Sequence, residues 1–244
     1  MASNQCLRVC LWSGPRNVST ALMYAFAQRS DTQVVDEPLY GHYLKASGAP
    51  HPGAAEVIAA MDTDGERVVR EVFLGPCSKP VLFTKNMPHQ LINLDWAFLQ
   101  QTTNVILTRA PAEMLPSYAK NVPNPTLRDT SYDLQVELLD KATAWGQDVP
   151  VLESRELLLD PAGVLKALCR RIGLPFEEQM LHWPAGARPE DGIWAKYWYD
   201  SIHRSTGFAP YKPKTSPFPA DLKPLLAECQ PYYDKLAKYA IQKD

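Results

Sequence analysis

The stretch LWSGPRNVSTALMYAF, residues 11–26, joins the end of an apolar run to the start of a helix. Residues 7–12 have the composition of a short buried strand, and apolar residues recur at helical spacing after residue 20. A strand, a glycine-containing turn and a helix in this order are typical of the phosphate-binding turn of α/β proteins. The lysine of a nucleotide-hydrolysing loop is absent from this turn, which instead holds Arg16. The stretch therefore predicts an α/β protein with an anion site built around an arginine.

The composition is that of a globular protein with no general affinity for polyanions. The 244 residues are 45% apolar and 21% charged, and the formal net charge is −2. A charge so close to zero gives no general attraction to nucleic acid or to acidic membranes, so we expect neither as a partner. No apolar run approaches the length of a membrane span, and no signal-peptide segment is evident at the amino terminus. We expect a cytoplasmic protein in which locally placed cations bind any anionic ligand.

The five cysteines are consistent with the reducing environment of the cytoplasm. Their number is odd and no Cys-x-x-Cys motif occurs, which predicts neither a disulfide framework nor a zinc site. Cys6 and Cys10 lie in the first apolar run, where we expect both to act as small buried apolar side chains.

Further β-rich apolar runs alternate with helical stretches along the chain. These runs are residues 32–38, 80–84, 104–108 and 149–154. The alternation predicts an α/β fold, with a parallel sheet flanked by helices. Residues 183–219, called the aromatic segment below, are rich in proline and aromatic residues and are predicted to be irregular. A closing helical region, residues 222–243, is expected to break near Pro231.

The length of the chain fits one domain rather than two. We predict a single domain over residues 1–244, with a core of about residues 5–180. Residues 181–244 are predicted to form a C-terminal lobe or lid that contains the aromatic segment.

Charged residues follow the first four predicted strands. In chain order they are Arg16, Glu37, Lys85 and Arg109. Ligands of an open parallel sheet bind beyond the carboxyl ends of its strands, so we expect these side chains to converge on one crevice. A nucleoside-triphosphate hydrolase needs the pattern G-x-x-x-x-G-K-[ST] and a strand-end aspartate for magnesium. This chain lacks that pattern, and its third and fourth strands are followed by cations, so we predict a polyanion site without a metal ion.

Four segments, in this order, resemble the family of sulfotransferases that use 3′-phosphoadenosine 5′-phosphosulfate (PAPS). SGPRNVST is similar to the loop that binds the 5′-phosphosulfate, and TRAPAEMLPSYAK is similar to the 3′-phosphate segment. RELLLDPAGVLKALCRRIGLPF resembles the helix and Leu-Gly turn that precede the carboxyl lobe. HRSTGF is similar to the late loop that closes over the nucleotide. The resemblance spans residues 7–208.

The resemblance implies a sulfotransferase fold of the P-loop NTPase-like type. It also implies transfer of a sulfuryl group from PAPS to a hydroxyl or amine of a small-molecule acceptor, without a metal ion. The implied donor-binding residues are Gly14, Pro15, Arg16, Asn17, Val18, Ser19, Thr20, Arg109, Ser117, Arg204, Ser205 and Gly207.

The same resemblance implies separate roles for the cations. Arg16 would bind the 5′-phosphate and stabilise charge on the departing oxygen, and Lys85 would reach the sulfuryl oxygens. Arg109 and Ser117 would bind the 3′-phosphate. A sulfuryl group carries less negative charge than a phosphoryl group, so basic side chains are expected to replace the metal.

The catalytic base is open among three residues. Glu37 is the first choice because other branches of the family use a glutamate after the second strand. His89 is the second, since it lies four residues past Lys85, and His42 is the third. The implied catalytic set is Arg16, Glu37, Lys85 and His89, and the implied acceptor-binding set is Tyr40, His42, Tyr43, Trp194 and Trp198.

The chain departs from the best-known family pattern at three positions. Met87 stands where cytosolic members have a histidine, and Ala21 and Ser154 stand where they have the tryptophan and tyrosine that pack on adenine. Two other functions therefore stay open. One is a metal-dependent kinase of a small metabolite, and the other is a catalytically silent relative that binds a nucleotide or a partner protein.

Overall fold

Five parallel strands form the centre of the computed structural model, which describes residues 6–241. They are β1 (Leu7–Ser13), β2 (Thr32–Asp36), β3 (Val81–Asn86), β4 (Thr103–Thr108) and β5 (Val151–Glu153). Their order across the sheet is β2-β3-β1-β4-β5, and every pair is parallel. The order places the turn after β1 at the middle of the sheet, between the ends of β3 and β4. The predicted α/β class, a parallel sheet flanked by helices, is confirmed.

Helices connect the strands and cover the sheet. They are α1 (Ser19–Ala27), α2 (Tyr40–Ser47), α3 (Ala54–Ala60), α4 (Gly65–Val68), α5 (Pro111–Tyr118), α6 (Leu127–Thr130), α7 (Tyr132–Ala144), α8 (Ser154–Leu159), α9 (Pro161–Ile172), α10 (Ala195–Trp198), α11 (Asp200–His203) and α12 (Lys223–Ala237). A π-helical turn spans Val69–Phe73, and 3-10 turns span Pro88–Leu91, Trp96–Gln101, Glu178–Leu181 and Ala220–Leu222. Within residues 6–241, none of the helices is both long and apolar enough to cross a membrane.

The predicted break in the closing helix is wrong. Helix α12 runs without interruption through Pro231. Leu225, Cys229 and Leu236 are buried along one side of α12, where it packs against α7. This burial outweighs the backbone hydrogen bond that the proline removes, because packing of an apolar face supplies most of the stability of a helix in a protein.

Apolar side chains fill both faces of the sheet. Alternate residues of β1 divide between the faces, with Cys10 and Trp12 in one core and Val9 and Leu11 in the other. Helices α5, α7 and α12 cover the first core, and α1 and α9 cover the second. A strand buried on both faces is apolar throughout, which explains why β1 appears in the sequence as a continuous apolar run.

Strand β3 is longer than the sequence predicts. The predicted strand ends at Thr84, whereas β3 continues to Asn86. Lys85 therefore lies inside the sheet, where its register partners are Leu11 on β1 and Asp36 on β2. The lysine is a central-strand residue with a carboxylate beside it, which a composition-based strand boundary does not reveal.

The prediction for Cys6 is wrong, because Cys6 forms a disulfide with Cys77. Parallel pairing of β1 with β3 begins at Leu7 and Val81, so the residue before β1 lies next to the segment before β3. A separation of 71 residues gives no sequence signal for this pairing. Cys10 is a buried free thiol, as expected.

Arg29, just after α1, is a buried cation that connects two distant segments. Its guanidinium donates to both carboxylate oxygens of Asp31, at 2.9 and 3.0 Å, and to the carbonyl oxygen of Pro175, at 2.6 Å. The side chain is fully buried, whereas Asp31 is about one-third exposed. Removing this guanidinium breaks the link to Pro175 and leaves a cavity in the core.

We predict that Arg29→Met lowers the free energy of unfolding by about 1–3 kcal/mol, measured by urea denaturation, because it removes several hydrogen bonds made by a buried charged group. The matched control is Arg67→Met, because Arg67 pairs with Asp62 at the surface. We expect that variant to lose about 0–1 kcal/mol. Equal losses in the two variants would contradict the structural role assigned to Arg29.

Candidate functional site

A cavity of about 250 Å³ lies beyond the carboxyl ends of the strands. It brings together the four charged residues that follow the predicted strands, which are Arg16, Glu37, Lys85 and Arg109. Other predicted site residues on its wall are Pro15, Asn17, Val18, Ser19, Thr20, Tyr40, His89, Ser117, Trp194 and Trp198. Predicted residues outside the wall are Gly14, His42, Tyr43, Arg204, Ser205 and Gly207. Its further lining residues are Ala21, His51, Met87, Tyr118, Tyr199, Ser201 and Ile202.

The turn between β1 and α1 forms one end of the cavity. No side chain caps the amino terminus of α1, so the N–H groups of its first turn are available to a ligand. Arg16 has a left-handed backbone, with φ of 55°. A side chain at Gly14 would place its Cβ 2.9 Å from the carbonyl oxygen of Thr130, so this turn requires glycine. The backbone geometry suits an anion.

Two arginines lie side by side at this end. Arg16 Nε donates to Ser117 Oγ at 3.2 Å, and Arg109 Nη1 donates to the carbonyl oxygen of Arg16 at 2.9 Å. Burial and the neighbouring Arg109 lower the pKa of Arg16. Glu113 pairs with Arg109 at 3.3 Å and offsets part of the positive charge. The arrangement leaves an excess of positive charge facing the cavity, which a bound anion would neutralise.

Lys85 also lies on the cavity wall, in a closed network of hydrogen bonds. Its Nζ donates to Asp36 Oδ1 at 2.7 Å, to Glu37 Oε1 at 2.6 Å and to Tyr199 Oη at 2.6 Å. Tyr199 in turn donates to Asp36 Oδ2 at 2.7 Å. Burial acts to lower the pKa of Lys85, but the attraction of Asp36 and Glu37 is stronger and raises it well above its usual value. The ammonium is therefore charged, and its charge is locally compensated.

Glu37 is fixed by the same network. Its backbone is left-handed, with φ of 41°, and its N–H donates to the carbonyl oxygen of Lys85 at 2.8 Å. The carboxylate accepts from Lys85 on Oε1 and from Gln90 Nε2 on Oε2, the latter at 2.6 Å. Both carboxylate oxygens are therefore occupied by donors, which fixes the orientation of the carboxylate.

His89 lies beside this network with one ring nitrogen engaged. Its Nδ1 is 2.8 Å from Oγ of Ser131, whose backbone is left-handed with φ of 65°. Burial lowers the pKa of His89 to about 4, so the imidazole is neutral near pH 7. Within residues 6–241, Nε2 of His89 has no hydrogen-bond partner. Nor does this part of the chain contain a cluster of three or more His, Cys, Asp or Glu residues that could hold a metal ion.

Aromatic rings form the rest of the wall. Tyr40 and Trp194 meet edge to face with centroids 5.1 Å apart, and Tyr40 Oη lies 3.0 Å from Nδ1 of His51. Tyr43 lies behind this wall, with its ring 4.6 Å from that of His89. His42 points away, since its Nε2 is 2.8 Å from the carbonyl oxygen of Ile92.

The predicted late loop lies outside the cavity wall. Arg204 pairs with Asp200 at the surface, and Ser205 Oγ accepts from the indole of Trp183 at 3.0 Å. Gly207 forms an isolated bridge with His182. The loop follows α11 directly, and α11 contributes Ser201 and Ile202 to the wall.

The positions that depart from the family pattern have different surroundings. Met87 and Ala21 both line the cavity. Ser154 is buried and donates to the carbonyl oxygen of Thr108 at 2.9 Å, so it has a structural partner.

Sequence reasoning missed three members of the lysine network. Asp36 precedes Glu37 in the sequence and lies at the end of the same strand, so inspection of the strand end could have found it. Gln90 lies beside His89 in a 3-10 turn, which gave no signal. Tyr199 lies in the aromatic segment, 114 residues from Lys85, and only the folded chain brings the two together.

A family model described as "Sulfotransferase domain" matches residues 7–240. Two curated relatives from Arabidopsis thaliana are named branched-chain-amino-acid aminotransferase-like proteins 1 and 2. They are 40% and 38% identical to this chain over 229 and 226 residues, which is 93% and 92% of the chain. The matched regions are 41% and 40% of the relatives, so the chain spans about two-fifths of their length.

Solved sulfotransferase structures have the same fold. The sulfotransferase domain from the curacin biosynthetic pathway aligns with a TM-score of 0.56 over 98% of this chain and all of that domain, at 14% identity. A sulfotransferase from Alicyclobacillus acidocaldarius aligns with a TM-score of 0.54 over 96% of this chain and 95% of the other, at 11% identity.

Acid titration of the folded protein tests the environment of His89. The pKa of His89 is about 4 in the folded protein and 6.5 in the unfolded chain. As the pH falls, the unfolded chain therefore binds the proton first. The stability linked to this histidine is complete above pH 6.5 and is lost progressively toward pH 4. We predict that the wild type loses about 3 kcal/mol more than His89→Gln across this range, measured by urea denaturation. Parallel stability curves for the two proteins would contradict the buried neutral imidazole.

Proposed function

The chain belongs to the sulfotransferase-domain family, and on that premise we propose that it transfers a sulfuryl group from PAPS to a hydroxyl or amine of a small-molecule acceptor. One observation carries the proposal. The cavity combines an uncapped helix amino terminus and two adjacent arginines with a neutral histidine and an aromatic wall. The helix terminus and the arginines, called the donor end below, suit a bis-anionic nucleotide, and the histidine and the rings suit an acceptor that must lose a proton.

The donor end fits the two anionic groups of PAPS. The N–H groups at the start of α1, with Ser19 and Thr20, would hold the 5′-phosphosulfate beside Arg16. Arg109 and Ser117 would hold the 3′-phosphate, and the Arg16–Ser117 hydrogen bond links the two subsites. When bound, PAPS supplies the activated sulfuryl group.

The late loop has a proposed supporting role at the donor end. Arg204, Ser205 and Gly207 would close over the nucleotide, since their loop follows the cavity-lining residues Ser201 and Ile202. In this scheme residues 181–244 act as the lid of a single domain. No metal ion is needed in the proposed chemistry, because the cations of the cavity balance the negative charge.

The geometry favours His89 over Glu37 as the base. In the tautomer in which His89 Nδ1–H donates to Ser131 Oγ, the Nε2 lone pair is free to accept the acceptor's proton. Glu37 has both oxygens occupied by Lys85 and Gln90, so its proposed role is to hold the lysine. The wall formed by Tyr40, Trp194 and Trp198 would position the acceptor next to this nitrogen.

The relatives' names concern longer proteins. The proposal made here covers only the segment that this chain shares with them. A catalytically silent, nucleotide-binding relative of the fold is the second candidate function. One observation favours it. Lys85 and Glu37 already bind each other, so neither side chain has a free group directed at a ligand.

Donor binding is tested by thermal shift. We predict that 3′,5′-adenosine bisphosphate, the PAPS product, raises Tm, since a ligand at 100 times its Kd stabilises by about 2.7 kcal/mol. Arg109→Ala should weaken the bisphosphate about 10- to 100-fold and 5′-AMP much less, because only the bisphosphate carries a 3′-phosphate. The control is Arg128→Ala, which removes a surface arginine paired with Asp133 at 3.9 Å. Stabilisation by ATP with Mg²⁺ and none by the bisphosphate would overturn the proposal in favour of a kinase.

The base is tested by single substitutions. We predict that His89→Gln keeps its affinity for the bisphosphate but loses about 10²–10⁴-fold in turnover, the usual contribution of a general base. Turnover is measured by a screen of hydroxyl and amine acceptors with a labelled sulfuryl donor. Normal turnover in His89→Gln together with an inactive Glu37→Gln would return the role to Glu37. Donor binding without turnover on any acceptor would favour the silent relative.

A further inference from the structure

The ammonium group of Lys85 has no unused hydrogen-bond donor. A lysine ammonium carries three N–H groups. In this structure they donate to Asp36, Glu37 and Tyr199, each at 2.6–2.7 Å. Lys85 nevertheless lies on the cavity wall, at the side where an acceptor would approach. Contact between Lys85 and a sulfuryl oxygen therefore requires that one of the three present partners be released.

The bond to Tyr199 is the weakest of the three. Asp36 and Glu37 are carboxylates, so Coulomb attraction adds to their hydrogen bonds with the ammonium, whereas the hydroxyl of Tyr199 carries no charge. Tyr199 also keeps a separate attachment, since its hydroxyl donates to Asp36 Oδ2 at 2.7 Å. Of the three partners of Lys85, Tyr199 is thus the one whose hydrogen bond costs the least free energy to break.

We propose that Tyr199 is a positioning residue that occupies the N–H group of Lys85 until the sulfuryl group of the donor takes its place. This inference rests on the proposed function and adds a step to it. The carboxylates of Asp36 and Glu37 hold the ammonium in place throughout, and only the tyrosine oxygen exchanges. No covalent bond changes in this step.

The exchange also connects the donor to the aromatic segment. Tyr199 lies between α10 and α11, and its neighbours Trp198 and Ser201 line the cavity. Asp36 Oδ2 also accepts from the backbone N–H of Gly192 at 3.3 Å. The aromatic segment is therefore attached to the lysine network at two points. Release of the tyrosine oxygen leaves the attachment through Asp36 in place.

The test compares two ligands that differ in the sulfuryl group. The Kd values of PAPS and of 3′,5′-adenosine bisphosphate are measured by calorimetry, without an acceptor, for the wild type and Tyr199→Phe. The phenylalanine variant frees one N–H group of Lys85 in advance. We expect its affinity for PAPS to rise about 10- to 100-fold, the range of one hydrogen bond to a charged group, while its affinity for the bisphosphate stays the same.

The matched control is Tyr24→Phe. Tyr24 is buried in α1 and donates to Asp191 at 2.6 Å, so it also joins the core to the aromatic segment, but it does not contact Lys85. This control should leave the ratio of the two Kd values at its wild-type value. An equal change of that ratio in both variants, or an unchanged ratio in Tyr199→Phe, would overturn the inference.

A second measurement on the wild type keeps the test independent of folding of the variant. The ammonium resonance of Lys85, observed by ¹⁵N NMR, should shift with PAPS and keep its position with the bisphosphate. An identical response to both ligands would contradict the exchange. Failure of the wild type to bind either ligand would instead overturn the proposed function, so the two failures are distinguishable.

Discussion

The buried ammonium of Lys85 is the interaction on which the site depends. An unpaired charge at this depth would cost several kcal/mol, so the fold must bring anions to it. The last residue of β2 and the turn after it supply Asp36 and Glu37, and the aromatic segment supplies Tyr199. Three parts of the chain are thus fixed relative to one another by a single side chain. The irregular aromatic segment has a defined position because this polar network and the rings around Tyr40 both hold it.

The cavity is electrostatically divided. Arg16 and Arg109 face each other at one end with only Glu113 to offset them, so this end carries excess positive charge. At the other end the lysine is balanced by two carboxylates, and His89 is neutral. An anion entering the cavity is therefore drawn first to the two arginines. Lys85 can donate to an anionic oxygen only after one of its present partners is released.

Much of the fold was predictable from the sequence. Short apolar runs that alternate with helices define a parallel sheet, and the family motifs locate the turn that is proposed to bind the anion. The predictions that were wrong concern features that depend on contacts between distant segments. Pro231 lies inside a helix because packing on α7 outweighs one lost hydrogen bond, and Cys6 reaches Cys77 because two strands pair in register. In the site, strand ends predicted which charges converge. They did not predict the hydrogen-bonded ion pair between Lys85 and Glu37, because β3 continues past its predicted boundary.

The left-handed residues have a consequence for engineering. Arg16, Glu37 and Ser131 have positive φ, although each is a residue type that rarely adopts this conformation, whereas Asn93 and Asn124 are of a type that tolerates it. Each of the first three holds a side chain in or against the cavity. Glycine would relax the backbone at these positions and remove the functional group, so the native sequence trades conformational ease for chemistry. At Glu37 and Ser131, glycine would also leave the buried Lys85 and His89 without a partner, so backbone strain and buried pairing oppose each other at both positions. Selection for thermal stability alone would therefore act first on Arg16, whose charge lies beside that of Arg109.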